Sequence, residues 1–186
     1  MAEKFVKKIY DAKTFFKDIL FFLKNIKKIF AANKNEKIDK IFIEKIMTVT
    51  TAVNGCVYCE WFHAREAVKA GIDEKEVKNM LNLQFEADAS DFELPALLYA
   101  QHYAETDRNP DSEMKEKFYN FYGEKTASHI FLFMRMIYFG NLLGNTWDAV
   151  ISRFKGKPAE GSSVLFEIFF FLLTFWFMAP AMLLTK

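Results

Sequence analysis

Cysteine is nearly absent from this sequence: its 186 residues hold two, Cys56 and Cys59, three positions apart. A disulfide closing so short a loop removes little unfolded-state entropy, so the pair makes a poor staple and chemistry is the better reason for it. Glycine and proline are also scarce, at seven and four, which argues against a disordered, collagen-like or turn-rich chain. No stretch alternates apolar and polar residues between hairpin turns, and no phosphate-binding glycine loop is present. A formal charge of +1 does not suit a nucleic-acid-binding domain. A clean secretory run is missing too, because Lys24, Lys27 and Lys28 interrupt the N-terminal apolar residues. A cytoplasmic, reducing setting for the thiols is therefore expected.

What is abundant is apolar and aromatic, with 22 phenylalanines. Phe5, Ile9, Ala12, Phe16, Ile19, Leu23, Ile26 and Phe30 recur at spacings of four and three, a helical seam among lysines. Residues 1 to 40 carry 11 Lys against 5 acids, and the segment suits a broad packing face or a membrane surface. Ile38 to Val53 reads as a second helix, broken by Asn54-Gly55. A third begins near Cys56 and ends at Gly71, and Asp73 with Glu76 suggests a capping box for a fourth. Ser90 with Glu93 suggests another start; helices over Glu113 to Tyr122 and Ile130 to Leu143 follow, the latter apolar all round except Arg135 and Asn141. The expectation is an all-α bundle, with a basic amphipathic arm over 1–36, a main domain over 37–154 and a hydrophobic helix over 164–184.

Ile168 to Leu184 is an uncharged run of 17 residues, extending to Val164 if Glu167 is included. Its length is near the ~20 residues that cross a bilayer, and "SRFKGK" precedes it as a basic flank. A C-terminal membrane anchor is the expectation, with a buried or interface helix as its alternative.

The chemistry-bearing stretch is "NGCVYCEWFH", Asn54 to His63. At about 100° per helical residue, Cys56, Cys59 and His63 share one face and can meet one small molecule. A thiolate at a helix start is favoured by unpaired N–H groups, and a histidine one turn on can move its proton. Two buried thiols, or a zinc site with Glu44 as fourth ligand, are the other readings of these residues.

Glu44, eleven residues, Cys56-Val-Tyr-Cys59 and then Glu-Trp-Phe-His63 match the pattern E-x11-C-x2-C-x3-H. In this the chain resembles the AhpD-like branch of the carboxymuconolactone decarboxylase superfamily. The likeness continues through "AREAVKAGIDEKEV" and "ELPALLYAQHYAE" to "FGNLLGNTWDAV", roughly Lys37 to Phe154. It implies an all-α bundle assembling as a trimer or hexamer, with no bound cofactor. It also implies a thiol peroxidase or thiol-disulfide oxidoreductase acting on hydroperoxides or on the disulfide of a peroxiredoxin-like protein. A dithiol such as dihydrolipoamide, free or on a lipoyl-bearing protein, would be the reductant. By position, Cys59 would attack, Cys56 would donate a proton and resolve, and His63 with Glu44 would complete a proton relay. General C-x-x-C reasoning instead favours Cys56, at the helix start, as the more acidic thiol. Tyr58 stands where some peroxidase members have histidine. Two alternatives differ in class: a decarboxylase-like enzyme acting on a small lactone, and a non-catalytic membrane-associated helical scaffold. His102 and His129 lack a partner motif and read as structural.

Overall fold

A computed structural model of the chain describes residues 5–184, with side chains through Pro180. Over this range the chain is all-α: α1 (Ala12–Ala32), α2 (Lys40–Asn54), α3 (Val57–Ala70), α4 (Glu74–Leu81), α5 (Leu94–Glu105), α6 (Ser112–Phe154) and α7 (Val164–Leu184). The local signals explain most boundaries. Asp39 and Asp73 accept from backbone N–H groups at the starts of α2 and α4, satisfying donors that a helix start leaves free. Gly55 and Gly71 end α2 and α3 in left-handed conformation. Gly123, the expected stop after Tyr122, is the kink inside α6, with φ 73 and ψ 155.

Two helices dominate the interior. α2 touches α3, α4, α5 and α6, and the second half of α6 runs across the bundle, burying Ile130, Phe133, Tyr138, Leu142 and Trp147. Being enclosed on several sides, α2 buries polar residues as well: Glu44, Lys45, Thr48, Thr50, Thr51 and Asn54. Lys45 is held by Glu76 at 2.6 Å and Glu93 at 3.0 Å, the pairing that a buried charge requires. His102 and His129 have structural partners, Asp111 and Asn35.

The N-terminal expectation needs correction. The helix expected over Phe5 to Phe30 starts only at Ala12, with Asp11 as its cap. Tertiary contacts hold the preceding residues in a non-helical strap: Tyr10 N–H donates to Thr146 Oγ1 at 3.0 Å and Tyr10 O–H to Asp18 at 2.8 Å. Asp18 also takes Arg108 and Arg135, tying α1 to the bundle. Residues 1–4 of the expected arm lie outside the described residues.

The C-terminal helix forms as expected, but the spanning anchor is not supported. Among the described residues no helix is long and apolar enough to cross a membrane, and the side chains of 181–184 lie outside them. One stripe of α7, Phe166, Phe170, Thr174 and Met178, is buried in the bundle. Trp147 Nε1–H donates to Thr174 Oγ1 at 2.8 Å, and Arg153 pairs with the buried Glu167. The spacing of four places this stripe on one side of the helix; run length alone does not reveal it.

Candidate functional site

The turn from α2 into α3 positions the thiols. Gly55, at φ 63, returns its N–H to Thr51 at 2.9 Å and lets the chain reverse. Cys56 then serves as N-cap of α3, its Sγ accepting from the Cys59 N–H at 3.4 Å. This brings α3 hard against α6 at Gly144, where an added Cβ would lie 2.5 Å from Cys56 Sγ and 3.2 Å from the Tyr58 ring. Glycine at 144 is what allows the approach.

The two thiols differ in surroundings. Cys56 is fully buried; Cys59 is half-buried and lines an open cavity of about 470 Å³. Both are free thiols. Hydrogen bonds from Cys56 and from Asn141 hold the Cys59 thiol below the ordinary cysteine range, against the opposing effect of burial. The Cys56 thiol is pushed well up, first by its hydrogen bond to Cys59 and then by burial. A thiolate at Cys59 with a proton on Cys56 is the arrangement these surroundings favour.

Asn141 is fully buried. Besides Cys59, it donates to Thr51 Oγ1 at 3.0 Å and accepts from Asn54 Nδ2 at 3.1 Å, while Asn145 donates to the Asn54 carbonyl at 2.9 Å. The network fixes the α2–α3 turn on α6.

His63 stands one turn beyond Cys59 and lines the same cavity. Its Nδ1 lies 2.8 Å from Glu44 Oε2, with both side chains largely enclosed. In a neutral imidazole, Nδ1–H donating to the Glu44 carboxylate places the lone pair on Nε2, the nitrogen that can accept a proton. Glu44 by spacing alone sits apart from the apolar stripe of α2 and would be taken for a solvated carboxylate; it is 7% exposed because α3 covers that side. Tyr58 O–H donates to Asp148 at 2.6 Å, and Asp148 also pairs with Lys7 of the strap at 2.6 Å. Burial and this carboxylate push the Tyr58 hydroxyl up, so it stays a hydrogen-bond donor.

The four residues singled out from sequence are thus brought together in two pairs, Cys56 with Cys59 and His63 with Glu44. Asn141, Gly144 and Asp148 were not singled out as site residues. Asn141 was visible as the one amide in the apolar stretch Ile130 to Leu143, but its thiol partner was not. The remaining cavity wall is apolar: Met47, Trp61, Phe62, Met136 and Leu143, with Phe177 and Met178 from α7. Among the described residues no group of three His, Cys, Asp or Glu side chains is placed to hold a metal ion.

The model of the carboxymuconolactone decarboxylase family matches residues 22–102. This stretch includes Glu44, Cys56, Cys59 and His63 and stops before Asn141, Gly144 and Asp148. No curated protein and no solved structure matches the chain significantly. Over residues 22–102 the chain is thus similar to the carboxymuconolactone decarboxylase family, which covers the AhpD-like proteins.

Proposed function

We propose that the protein is a thiol-disulfide oxidoreductase of AhpD type, reducing hydroperoxides or a partner protein disulfide at Cys59 and Cys56. The observation that carries this is the asymmetry of the pair. The thiol open to the cavity is lowered by two hydrogen-bond donors, and its neighbour is buried and holds its proton. An attacking thiol needs accessibility and thiolate character, whereas a resolving thiol needs proximity.

In the proposed cycle the Cys59 thiolate attacks the distal oxygen of R–O–O–H and the O–O bond breaks. R–O⁻ leaves and takes the proton that the Cys59 thiol had given to His63 Nε2, the ring being held through Nδ1–H by Glu44. Cys59 becomes a sulfenic acid. Cys56, losing its proton, attacks that sulfur and expels water, forming the Cys56–Cys59 disulfide. Two thiols and one hydroperoxide thereby give a disulfide, an alcohol and water. An external dithiol of the dihydrolipoamide class returns two electrons and two protons by exchange. A partner protein's disulfide would enter as the electrophile at the first step and leave as a dithiol. A reducing, cytoplasmic setting suits this cycle, since it begins from free thiols.

Single-cysteine variants test the assignment. Cys59→Ser should abolish dithiol-supported hydroperoxide consumption. Cys56→Ser should still consume about one equivalent of hydroperoxide, leaving a sulfenic acid trappable by dimedone at Cys59. Steady turnover in the Cys59 variant, or trapping at Cys56 in it, would overturn the assignment. Turnover of a small lactone that survives alkylation of both thiols would favour decarboxylase-like chemistry instead.

A further inference from the structure

The bundle leaves apolar side chains uncovered on α1 and α7, which meet near their N-terminal turns. The two helices meet at Phe15, which packs on Phe166 and Phe170 beneath the surface, and at Phe16, whose ring is 5.7 Å from that of Phe169 above it. From this junction both helices present apolar side chains outward: Leu20, Leu23 and Phe30 on α1, Leu165, Leu172 and Trp176 on α7, the last 81% exposed. All six are more than half exposed, and exposed large apolar side chains gathered on two neighbouring helices mark an interaction surface.

Its charge is one-sided. The carboxylates on the described parts of these two helices, Asp18 and Glu167, are each 3% exposed and each paired with arginine. Lys13, Lys17, Lys24, Lys27 and Lys28 of α1 are all exposed. At about 100° per residue, Lys13, Lys17, Lys24 and Lys28 fall along one flank of the Phe16–Leu20–Leu23–Phe30 stripe, and Lys27 falls within it. Lysine stems lie along apolar surface while their ammonium groups stay at the polar boundary. An apolar face rich in Phe, Leu and Trp with a lysine border is the chemistry of a helix lying in the plane of a bilayer interface. A second copy of this chain would bring the same lysines, with no exposed carboxylate on the described turns of α1 or α7 to meet them.

We propose that the α1–α7 face docks on the surface of an anionic phospholipid bilayer, its apolar side chains inserted at the headgroup–acyl boundary and its lysines among the headgroups. This is docking on the surface: among the described residues no helix is long and apolar enough to cross a membrane. Docking also sets the site's orientation. Met136 of α6 lines both the groove along α1 and the thiol cavity, whose wall includes Phe177 of α7. The cavity therefore adjoins the docked face. The proposal stands independently of the thiol chemistry.

Vesicle flotation of the full chain tests it. The protein should float with vesicles of phosphatidylcholine mixed with phosphatidylglycerol and much less with phosphatidylcholine alone, and high salt should release it. Lys24→Glu with Lys27→Glu and Lys28→Glu should weaken partitioning about ten-fold or more. Leu172→Glu with Trp176→Glu, both at exposed positions, should abolish it while circular dichroism and melting remain those of the parent. Failure to float with either vesicle overturns the proposal. So does binding indifferent to lipid charge and to the lysine reversal. So does a stable oligomer in light scattering that the Leu172/Trp176 variant dissociates while the parent ignores vesicles.

Discussion

Which of two neighbouring thiols is the nucleophile is decided by competing contacts at the scale of single side chains. Cys56 caps α3 and receives a backbone N–H, the contact that usually makes the first cysteine of such a pair the acidic one. Cys59 receives the Cys56 thiol proton and the Asn141 amide, and it alone of the two lines the cavity. The fully buried sulfur loses more solvation on ionising than the half-buried one, so these surroundings favour the thiolate on Cys59, the assignment proposed above. Since its thiol is lowered, the alkylation rate at Cys59 should rise with pH and level off below the ordinary thiol value of about 8.5. Cys56 should remain unreactive across that range. Asn141→Leu removes one of the two donors at similar volume, and the Cys59 midpoint should move upward. Iodoacetamide labelling against pH, read by mass at each cysteine, checks both; an unmoved midpoint would show that the amide does not support the thiolate.

At the scale of elements, the thiols depend on how closely α3 seats on α6. Gly144→Ala places a methyl 2.5 Å from Cys56 Sγ, far inside van der Waals contact, with backbone fixed on both sides. The Cys56 side chain must swing away or the helices must part. Overpacking of this kind typically costs about 1–3 kcal/mol, equivalent to a melting point lower by roughly 2–4 °C per kcal/mol in a chain of this size. Closure of the Cys56–Cys59 disulfide after a peroxide pulse should slow at least about ten-fold, because resolution depends on proximity. Stopped-flow tryptophan fluorescence with a thermal melt measures the two effects; closure at the parent rate would show that the contact does not position Cys56. Element boundaries set by local chemistry were legible in the sequence: the glycines at 55, 71 and 123 and the cap at Asp73 each act within a few residues. Elements decided by contacts distant in sequence were not. The strap before Ala12 is held by Thr146 and Asp148. Glu44 is buried because α3 folds over it, and α7 packs through a stripe that only its neighbours identify.

For the whole molecule, the segments at the two ends of the chain shape what reaches the thiols. The strap brings Lys7 to Asp148, and Asp148 holds Tyr58 on the cavity wall. α7 adds Phe177 and Met178 to that wall. The motif spacing places two thiols beside a histidine but cannot tell the width of the chamber around them, since the chamber is assembled from α2, α3, α6 and α7. At about 470 Å³ it lies within the range of roughly 300–1,000 Å³ found for small-molecule sites. Hydrogen peroxide, about the size of one or two waters at ~30 Å³ each, would leave most of it empty and would make few contacts with its apolar walls. An organic hydroperoxide carrying an aromatic or branched alkyl body would fill it and bury that body, each methylene contributing about 0.8 kcal/mol where it is fully desolvated. Two or three such groups correspond to one to two decades in kcat/KM. Cumene hydroperoxide should therefore be consumed with kcat/KM roughly 10- to 100-fold above hydrogen peroxide at equal dithiol. Met136→Glu, which places a carboxylate in the wall without touching the thiols or the Glu44–His63 pair, should erase most of that preference and leave the hydrogen peroxide rate within a few-fold. Equal kcat/KM for the two oxidants in the parent, or a preference that survives Met136→Glu, would show that the oxidant's organic body does not sit in this cavity.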